Sequence, residues 1–434
     1  MTFVYNADQA TALELLRVFM AGPERKFVLV GAAGTGKTSV VQRYIYEQVV
    51  IWRRRVAICA PTNKAVKVLY QMGQSMGHDF ASAVVYGTIY KLLGLKMRID
   101  QRTGKLEFLP DPKNPPVLDD YDIIVCDEGS MLDSTLYDLL RLYTPDHVKI
   151  IFIGDPCQLP PVGETMSQVF DVPNQVTLTQ IMRHGGGIER LVGKIRTNID
   201  NPAAPFIQND HGEVEGVWNL RRDDWLRRMV KDFTSPEFQE DPNYVRSIAY
   251  TNRVVDWGNL TIQQAIYGEN SPYFVIGQRL VARNPVFNES GDVVMTTSSE
   301  CTILEAEWCE ERGYQAWRLM VRTEEGDVVQ IRAVDIESRE QFRSDLENIR
   351  ERAINSTRGW DKKNLWDAYW SWYQYFADVD YIYWLTAHKS QGSTFQRVFI
   401  AYGDIKSNKC WAERNKCIYT AATRPSQQLI AQEY

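Results

Sequence analysis

Residues 31 to 39 read GAAGTGKTS, and their types and spacing suit the capture of a nucleoside triphosphate. Glycines at 31, 34 and 36 let the backbone turn tightly with positive φ, so that successive N–H groups point inward at a phosphate. Lys37 brings a mobile positive charge to the β- and γ-phosphates, and Thr38 a hydroxyl for Mg²⁺. The pattern G-x-x-x-x-G-K-[ST] is matched in full, and Gly31, Ala32, Ala33, Gly34, Thr35, Gly36, Lys37, Thr38 and Ser39 are all expected around the nucleotide. Asp127 and Glu128 supply adjacent carboxylates: Asp127 can hold Mg²⁺ in the outer shell, while Glu128 orients and activates a water for attack on the γ-phosphate. An Asp-Glu pair by itself is usually a solvated turn. Its place at the end of an apolar run, about ninety residues after the glycine loop, selects the catalytic reading. Gln158 is neutral and able to hydrogen-bond the γ-phosphate or the water, a candidate sensor of hydrolysis. Gln9 carries an amide that both donates and accepts and can meet an adenine edge.

These residues need strands that end at one place. Phe27-Val28-Leu29-Val30 is apolar and β-prone ahead of the loop, and Ser39 to Tyr44 reads as the opening of a helix, so the loop sits between strand and helix. Val56 to Ala60, Ile123 to Cys126 and Val148 to Ile153 read as further buried parallel strands. An amphipathic helix (Ala10, Leu13, Leu15, Leu16, Val18, Phe19) comes first, with Asn6 or Asp8 as its N-cap. Pro61, Thr62 and Lys64, where a strand feeds a helix, suit contacts to a nucleic-acid backbone; a polar turn with a capping threonine is the alternative. Thr88, which opens the next helical piece, is grouped with them. Residues 96 to 118 are rich in Gly, Pro and charge, and Arg102-Thr103-Gly104-Lys105 suggests a hairpin turn, serving either as a wedge or as an inert loop.

GAAGTGKTS, APTNKAVKVL (60 to 69), DEGS (127 to 130) and GDPCQLPPVG (154 to 163), in this order and spacing, resemble the successive motifs of superfamily 1 helicases, in particular the 5′-to-3′ RecD-like branch. The resemblance implies two RecA-like α/β P-loop motor domains that hydrolyse ATP with Mg²⁺, translocate on single-stranded DNA and unwind duplex at single-strand/duplex junctions. It also implies further residues. Arg183 falls where the family has an arginine reaching the γ-phosphate, and Thr251-Asn252 resembles a DNA-contacting pair at the head of the second motor domain. Leu385 to Gly392 resembles the fifth motif, in which Thr386, His388 and Lys389 would touch the DNA and Gly392 the nucleotide; Thr394 stands where the family often has an acidic residue. Ile418 to Arg424 resembles the sixth motif, whose arginine, here Arg424, stabilises charge on the transferring phosphoryl group; Pro425-Ser426 then departs from the usual second basic residue and would shorten the following helix or loop.

The division expected is 1–185 for the first motor domain with its hairpin, 186–273 and 380–434 for the second, and 274–379 for an insertion. In that insertion Tyr273 to Ile276, Arg279 to Ala282, Glu300 to Leu304, Trp317 to Val321 and Asp327 to Ile331 alternate as strands of a small β-barrel. Two helices follow, 338–355 and 361–377. Trp366, Trp370, Tyr373 and Ala377 share one face of the second, fitting a core, with base stacking as the alternative; Trp372 and Tyr375 fall off it.

With 434 residues, 44% of them hydrophobic, the chain has the composition of ordinary globular domains. A net charge of −6 excludes a polycation, so nucleic acid must be held in a local groove. Seven cysteines without a C-x-x-C pair, and five scattered histidines, argue against zinc or disulfide frameworks and fit a reducing cytosol. No apolar run approaches the roughly 20 residues of a membrane span and the start lacks a leader pattern, so a cytoplasmic protein of a bacterial or phage-infected cell is expected. A monomer meeting replication or recombination proteins is the expected setting. The alternatives are a translocase that displaces proteins without productive unwinding and a nucleic-acid loading module with an idle nucleotide site.

Overall fold

The computed structural model of the chain describes residues 5–75, 83–99, 106–180, 186–288 and 290–433. It divides into two units, one of residues 1–96, 110–255 and 385–434, the other of residues 97–109 and 256–384.

The first unit contains two six-stranded sheets. In one, the strands run in the order Val84–Thr88, Val56–Ala60, Ile123–Cys126, Lys149–Gly154, Lys26–Gly31, Gln175–Leu178, and neighbours pair parallel throughout. Parallel sheets are covered on both faces, which is why these strands read as unbroken apolar runs. Val28, Ile58, Ile124 and Ile151 are buried within a percent or so of completely. The order places the carboxyl ends of Ile123–Cys126, Lys149–Gly154 and Lys26–Gly31 side by side, where doubly wound sheets bind ligands.

The other sheet has the order Trp384–Thr386, Val245–Ala249, Phe395–Ile400, Pro425–Gln432, Gly216–Leu220, Asp210–His211. Helices Gly186–Thr197 and Trp411–Ala422 bury Ile188, Val192, Ile418 and Ala422 in its core. Pro425 opens a strand in register with Phe395, a first-residue position that proline tolerates, and the preceding helix stops at Ala422. Leu159 leaves the first sheet's loop and is buried in this second core beside Cys157.

In the second unit a five-stranded antiparallel sheet runs Val328–Val334, Tyr314–Thr323, Glu300–Glu311, Arg279–Ala282, Val379–Tyr381. Its two edges meet where the Ala377 N–H donates to the Arg332 carbonyl at 2.6 Å, which curls the sheet towards a barrel. Tyr273 to Ile276 is not among its strands. Phe274 is buried edge-on to Trp317, and the Gln278 carboxamide accepts the Val275 N–H, so that segment is an aromatic plug and turn; Val379–Tyr381 takes the fifth place. Helices Ile336–Asn355 and Gly359–Tyr375 pack together, with Trp366 and Trp370 in a core around Ala353. Trp372 and Tyr375 belong to a separate core with Tyr314 and Phe376. The aromatic stripe is therefore packing. Strands Leu95–Ile99 and Leu106–Pro110 pair as the expected hairpin, and its turn at Arg102 to Lys105 lies outside the described residues. No helix among the described residues is long and apolar enough to cross a membrane.

Candidate active site

The loop Gly31 to Ser39 turns through Gly34 at φ 82° and Gly36 at φ 80°. Gly31 is not in that left-handed region. It is required by space instead, since a Cβ there would lie 2.7 Å from Thr35 Oγ1 and 2.9 Å from the Leu178 carbonyl oxygen. Buried Thr35 ties the loop by donating its hydroxyl to the Ala32 carbonyl at 2.9 Å. Helix Lys37–Val50 starts at Gly36 with no side-chain cap, so its first N–H groups face the cleft with the positive end of the helix dipole. Lys37 Nζ donates to the carbonyls of Gly31 and Ala32, each at 2.8 Å. Burial pulls its pKa below the usual lysine range, and the nearby carboxylates of Asp155, Asp127 and Glu128 oppose that shift.

Thr38 Oγ1 donates to Asp127 Oδ2 at 3.2 Å. A hydroxyl and a carboxylate thus face each other beside the loop, an all-oxygen pair of the kind that holds Mg²⁺ while leaving positions for water and phosphate. Glu128 takes φ 55°, a left-handed conformation that side chains rarely adopt, with its N–H donating to Asp127 Oδ1 at 2.7 Å. That strained turn separates two adjacent carboxylates into distinct directions, and strain of this type is characteristic of reactive sites. Burial raises the pKa of both Asp127 and Glu128; for Glu128 the Asp127 charge adds to the rise, while Arg424 and Lys37 counter it. Buried Gln158 presents Oε1 without a hydrogen-bond partner among the described residues. Arg424 is also buried, its guanidinium donating to the Thr420 and Ser393 carbonyls at 3.0 and 3.2 Å and to Thr423 Oγ1 at 2.8 Å. One cleft of about 130 Å³ is lined by Ala33, Gly34, Gly36, Lys37, Thr38, Ser39, Asp127, Glu128, Gln158, Gly392 and Arg424. The chain brings a phosphate cradle, a buried carboxylate base, an oxygen pair for a hard cation and a guanidinium to the same space, an arrangement suited to phosphoryl transfer to water.

Gln9 sits behind the loop. Its Nε2 donates to the Thr35 carbonyl at 3.2 Å, and its Oε1 accepts the Asn6 N–H as one half of a capping box. Both ends of the amide brace the loop and the first helix, so Asn6 is the N-cap. Asp8 accepts from Thr179 N and Oγ1 at 2.8 and 2.6 Å, tying that helix to the segment leading to Arg183, which itself lies outside the described residues.

The residues expected to meet nucleic acid stand at carboxyl ends of strands in both sheets. Thr62 Oγ1 accepts the Ala65 N–H at 3.2 Å and Thr88 Oγ1 the Lys91 N–H at 3.3 Å, each opening a helix just after Val56–Ala60 or Val84–Thr88; Pro61 is half-buried and Lys64 lies over the Phe395 ring. Thr251 is held by Asp404, which takes its N–H and hydroxyl at 2.9 and 2.8 Å, while Asn252 is exposed at the start of helix Asn252–Tyr267. Thr386 Oγ1 accepts the Lys389 N–H at 3.3 Å, and His388 faces Glu413 at 3.6 Å. Burial lowers the His388 pKa and Glu413 pushes it back up.

One network escapes sequence reasoning. Asp155 is buried and receives Arg196 at 2.5 Å and the Tyr419 hydroxyl at 2.7 Å, and Arg196 also donates to Tyr419 at 2.9 Å. It joins the turn preceding Gln158 to the helix preceding Arg424. Gln391 adds a second tie, donating to the Leu159 carbonyl at 3.0 Å. The one signal in the sequence was an aspartate immediately before Pro156 at a strand end.

The chain matches the family model described as an AAA domain over residues 16–164 and that of the UvrD-like helicase C-terminal domain over residues 381–431. It is 27% identical to an uncharacterized protein of Acanthamoeba polyphaga mimivirus, covering 97% of this chain and 98% of that protein. It is 25% identical to the ATP-dependent DNA helicase Dda of Enterobacteria phage T4, over 97% of this chain and 95% of that one. In fold it is similar to a Pif1 helicase solved for DNA unwinding at forked dsDNA, with a TM-score of 0.54, 15% identity and coverage of 100% and 92%.

Proposed function

We propose that this chain, which belongs to the superfamily 1 helicases and is related to Dda and the RecD-like enzymes, is an ATP-driven DNA helicase that moves along single-stranded DNA in the 5′-to-3′ direction and separates duplex at junctions. The observation that carries this reading is the meeting of Lys37, Glu128 and Gln158 from one sheet with Arg424 from the other in one cleft.

When ATP enters, Lys37 exchanges the Gly31 and Ala32 carbonyls for phosphate oxygens, and the free N–H groups of the loop and helix start take the remaining charge. Mg²⁺ bound at Thr38 and Asp127 would neutralise charge shared between the β- and γ-phosphates. Glu128 orients the attacking water and accepts its proton, a task for which a raised pKa is an asset. The orphan Oε1 of Gln158 accepts from that water, and the Arg424 guanidinium stabilises charge on the transferring group. Loss of the γ-phosphate then alters the Asp155 network, and Pro61, Thr62, Lys64, Thr88, Thr251, Asn252, Thr386, His388 and Lys389 alternately grip the strand. Base-pair steps average about 1.4 kcal/mol, a modest load for one stroke. Its setting is intracellular DNA, as a monomer alongside replication or recombination proteins, in keeping with relatives from a phage and a giant virus.

The test is strand release from a fluorescent duplex. ATP-dependent release is expected with a 5′ tail and not with a 3′ tail. ATP hydrolysis stimulated by DNA without release from either duplex would replace unwinding with translocation alone, and release from the 3′ tail alone would reverse the polarity.

A further inference from the structure

Next to the nucleic-acid face of the second sheet, three side chains of different chemistry converge. His388 Nε2 lies 3.6 Å from Glu413 Oε1, and ligating atoms of His388, Glu413 and Cys417 all lie within 4.8 Å of one another. Glu413 and Cys417 are four apart on helix Trp411–Ala422 and so share one face, while His388 reaches them from the short helix His388–Ser390. We propose that His388, Glu413 and Cys417 form a binding site for a thiophilic divalent cation of the Zn²⁺ type, whose occupation clamps the His388 loop to the helix that leads to Arg424 and arrests the motor.

One nitrogen, one oxygen and one sulfur donor make a borderline set that favours Zn²⁺ or Co²⁺ over Mg²⁺. With metal–ligand distances of about 2.0 to 2.3 Å, tetrahedral ligands stand about 3.3 to 3.6 Å apart. The His388–Glu413 pair is already near that spacing, and the sulfur needs a shift of at most about 1.5 Å, within the reach of side-chain rotation. Glu413 is oriented from behind: Asn408 Nδ2 donates to its other oxygen at 3.1 Å, leaving Oε1 turned to the histidine, as the outer partners of metal ligands do. His388 and Glu413 each keep about a third of their side-chain surface exposed, so an ion has a path in, while Cys417 forms the buried floor. Binding breaks the Cys417 S–H bond, sends its proton to solvent and forms a sulfur–metal bond, with no change in oxidation state. Two anionic ligands and neutral imidazole then cancel the ion's charge, with water in the fourth position. The arrest rests on the helicase reading, because it assumes that the His388 loop must part from this helix during each cycle.

Co²⁺ titration of the full chain in chelator-free buffer tests the site by a readout independent of ATP. One equivalent with a thiolate-to-cobalt absorption band is expected, and it should vanish in Cys417→Val. Zn²⁺ should lower DNA-stimulated ATP hydrolysis at saturating Mg²⁺ at least tenfold, with the midpoint at least tenfold higher in Glu413→Gln, a milder change. No band in the wild type, a band that survives Cys417→Val, or one lost instead with exposed Cys410→Ser, overturns the assignment. A band without any DNA-stimulated hydrolysis would leave the site standing and remove the helicase reading.

Discussion

Arg424 and Lys37 are both committed to carbonyl oxygens in this structure, yet their consequences on removal differ. In the proposed reaction Lys37 would meet phosphates in ground and transition states alike, so Lys37→Ala is expected to weaken ATP binding and abolish turnover together. Arg424→Ala should lower the hydrolysis rate by about 10³ to 10⁵ while a fluorescent ATP analogue still binds, as measured by phosphate release and nucleotide titration. Glu128 allows a sharper test, because burial raises its pKa. A carboxyl raised in the folded state contributes stability below its unfolded pKa, and that contribution is lost as pH rises through the folded value. Without nucleotide at neutral pH the ionised group is therefore a burden. Glu128→Gln should melt at a higher temperature than wild type at pH 7.5, with the gain shrinking as pH falls through the raised Glu128 pKa and gone below the ordinary carboxylate range, and should lower turnover by about 10² to 10⁴. The acid limb of the wild-type rate profile should lie above the ordinary glutamate pKa.

Between the elements, coupling runs through the turn after Lys149–Gly154. That turn sends Leu159 into the second core and holds Arg196 and Tyr419 through Asp155, while Gln158 faces the cleft. Tyr419→Phe removes two hydrogen bonds, the one given to Asp155 and the one taken from Arg196, and should cost about 1 to 3 kcal/mol of stability, with the hydrolysis rate falling several-fold and the KM for ATP little changed. Arg196→Met strands a buried carboxylate and should cost about 3 to 5 kcal/mol, visible in urea unfolding. The glycine loop depends on a different kind of contact. Gly31→Ala would crowd Thr35 Oγ1 and the Leu178 carbonyl, so it should impair nucleotide binding even though Gly31 needs no left-handed φ. The sequence-based expectation of positive φ at all three glycines was right for Gly34 and Gly36 and wrong for Gly31, where crowding by Thr35 of the loop and by Leu178 of the neighbouring strand, not a left-handed φ, excludes a Cβ.

For the molecule as a whole, removing the hairpin of Leu95–Ile99 and Leu106–Pro110 is expected to separate hydrolysis from unwinding. Replacing residues 97–109 with a short Gly-Ser linker should leave DNA-stimulated ATP hydrolysis within about twofold and reduce strand release at least tenfold, in paired assays on the same tailed duplex. Equal release would return the hairpin to an inert loop. The paired helices bury Trp366 and Trp370 around Ala353, so the aromatic face they share serves packing, while Trp372 and Tyr375 lie partly buried against a separate core with Tyr314 and Phe376.

Read alone, the sequence determined the phosphate loop, the carboxylate pair, the parallel strands and the paired insertion helices. Each is a contiguous run whose chemistry or periodicity is local, and a loop that cradles phosphate with successive N–H groups has to be contiguous. Only the tertiary structure decided that Gln9 braces the loop, that Thr251 is held by Asp404, and that Val379–Tyr381 displaces Tyr273 to Ile276 from the sheet. The same is true of Asp155 with partners 41 and 264 residues away. Such contacts are set by how packed elements cross, and no spacing along one segment records where another will lie.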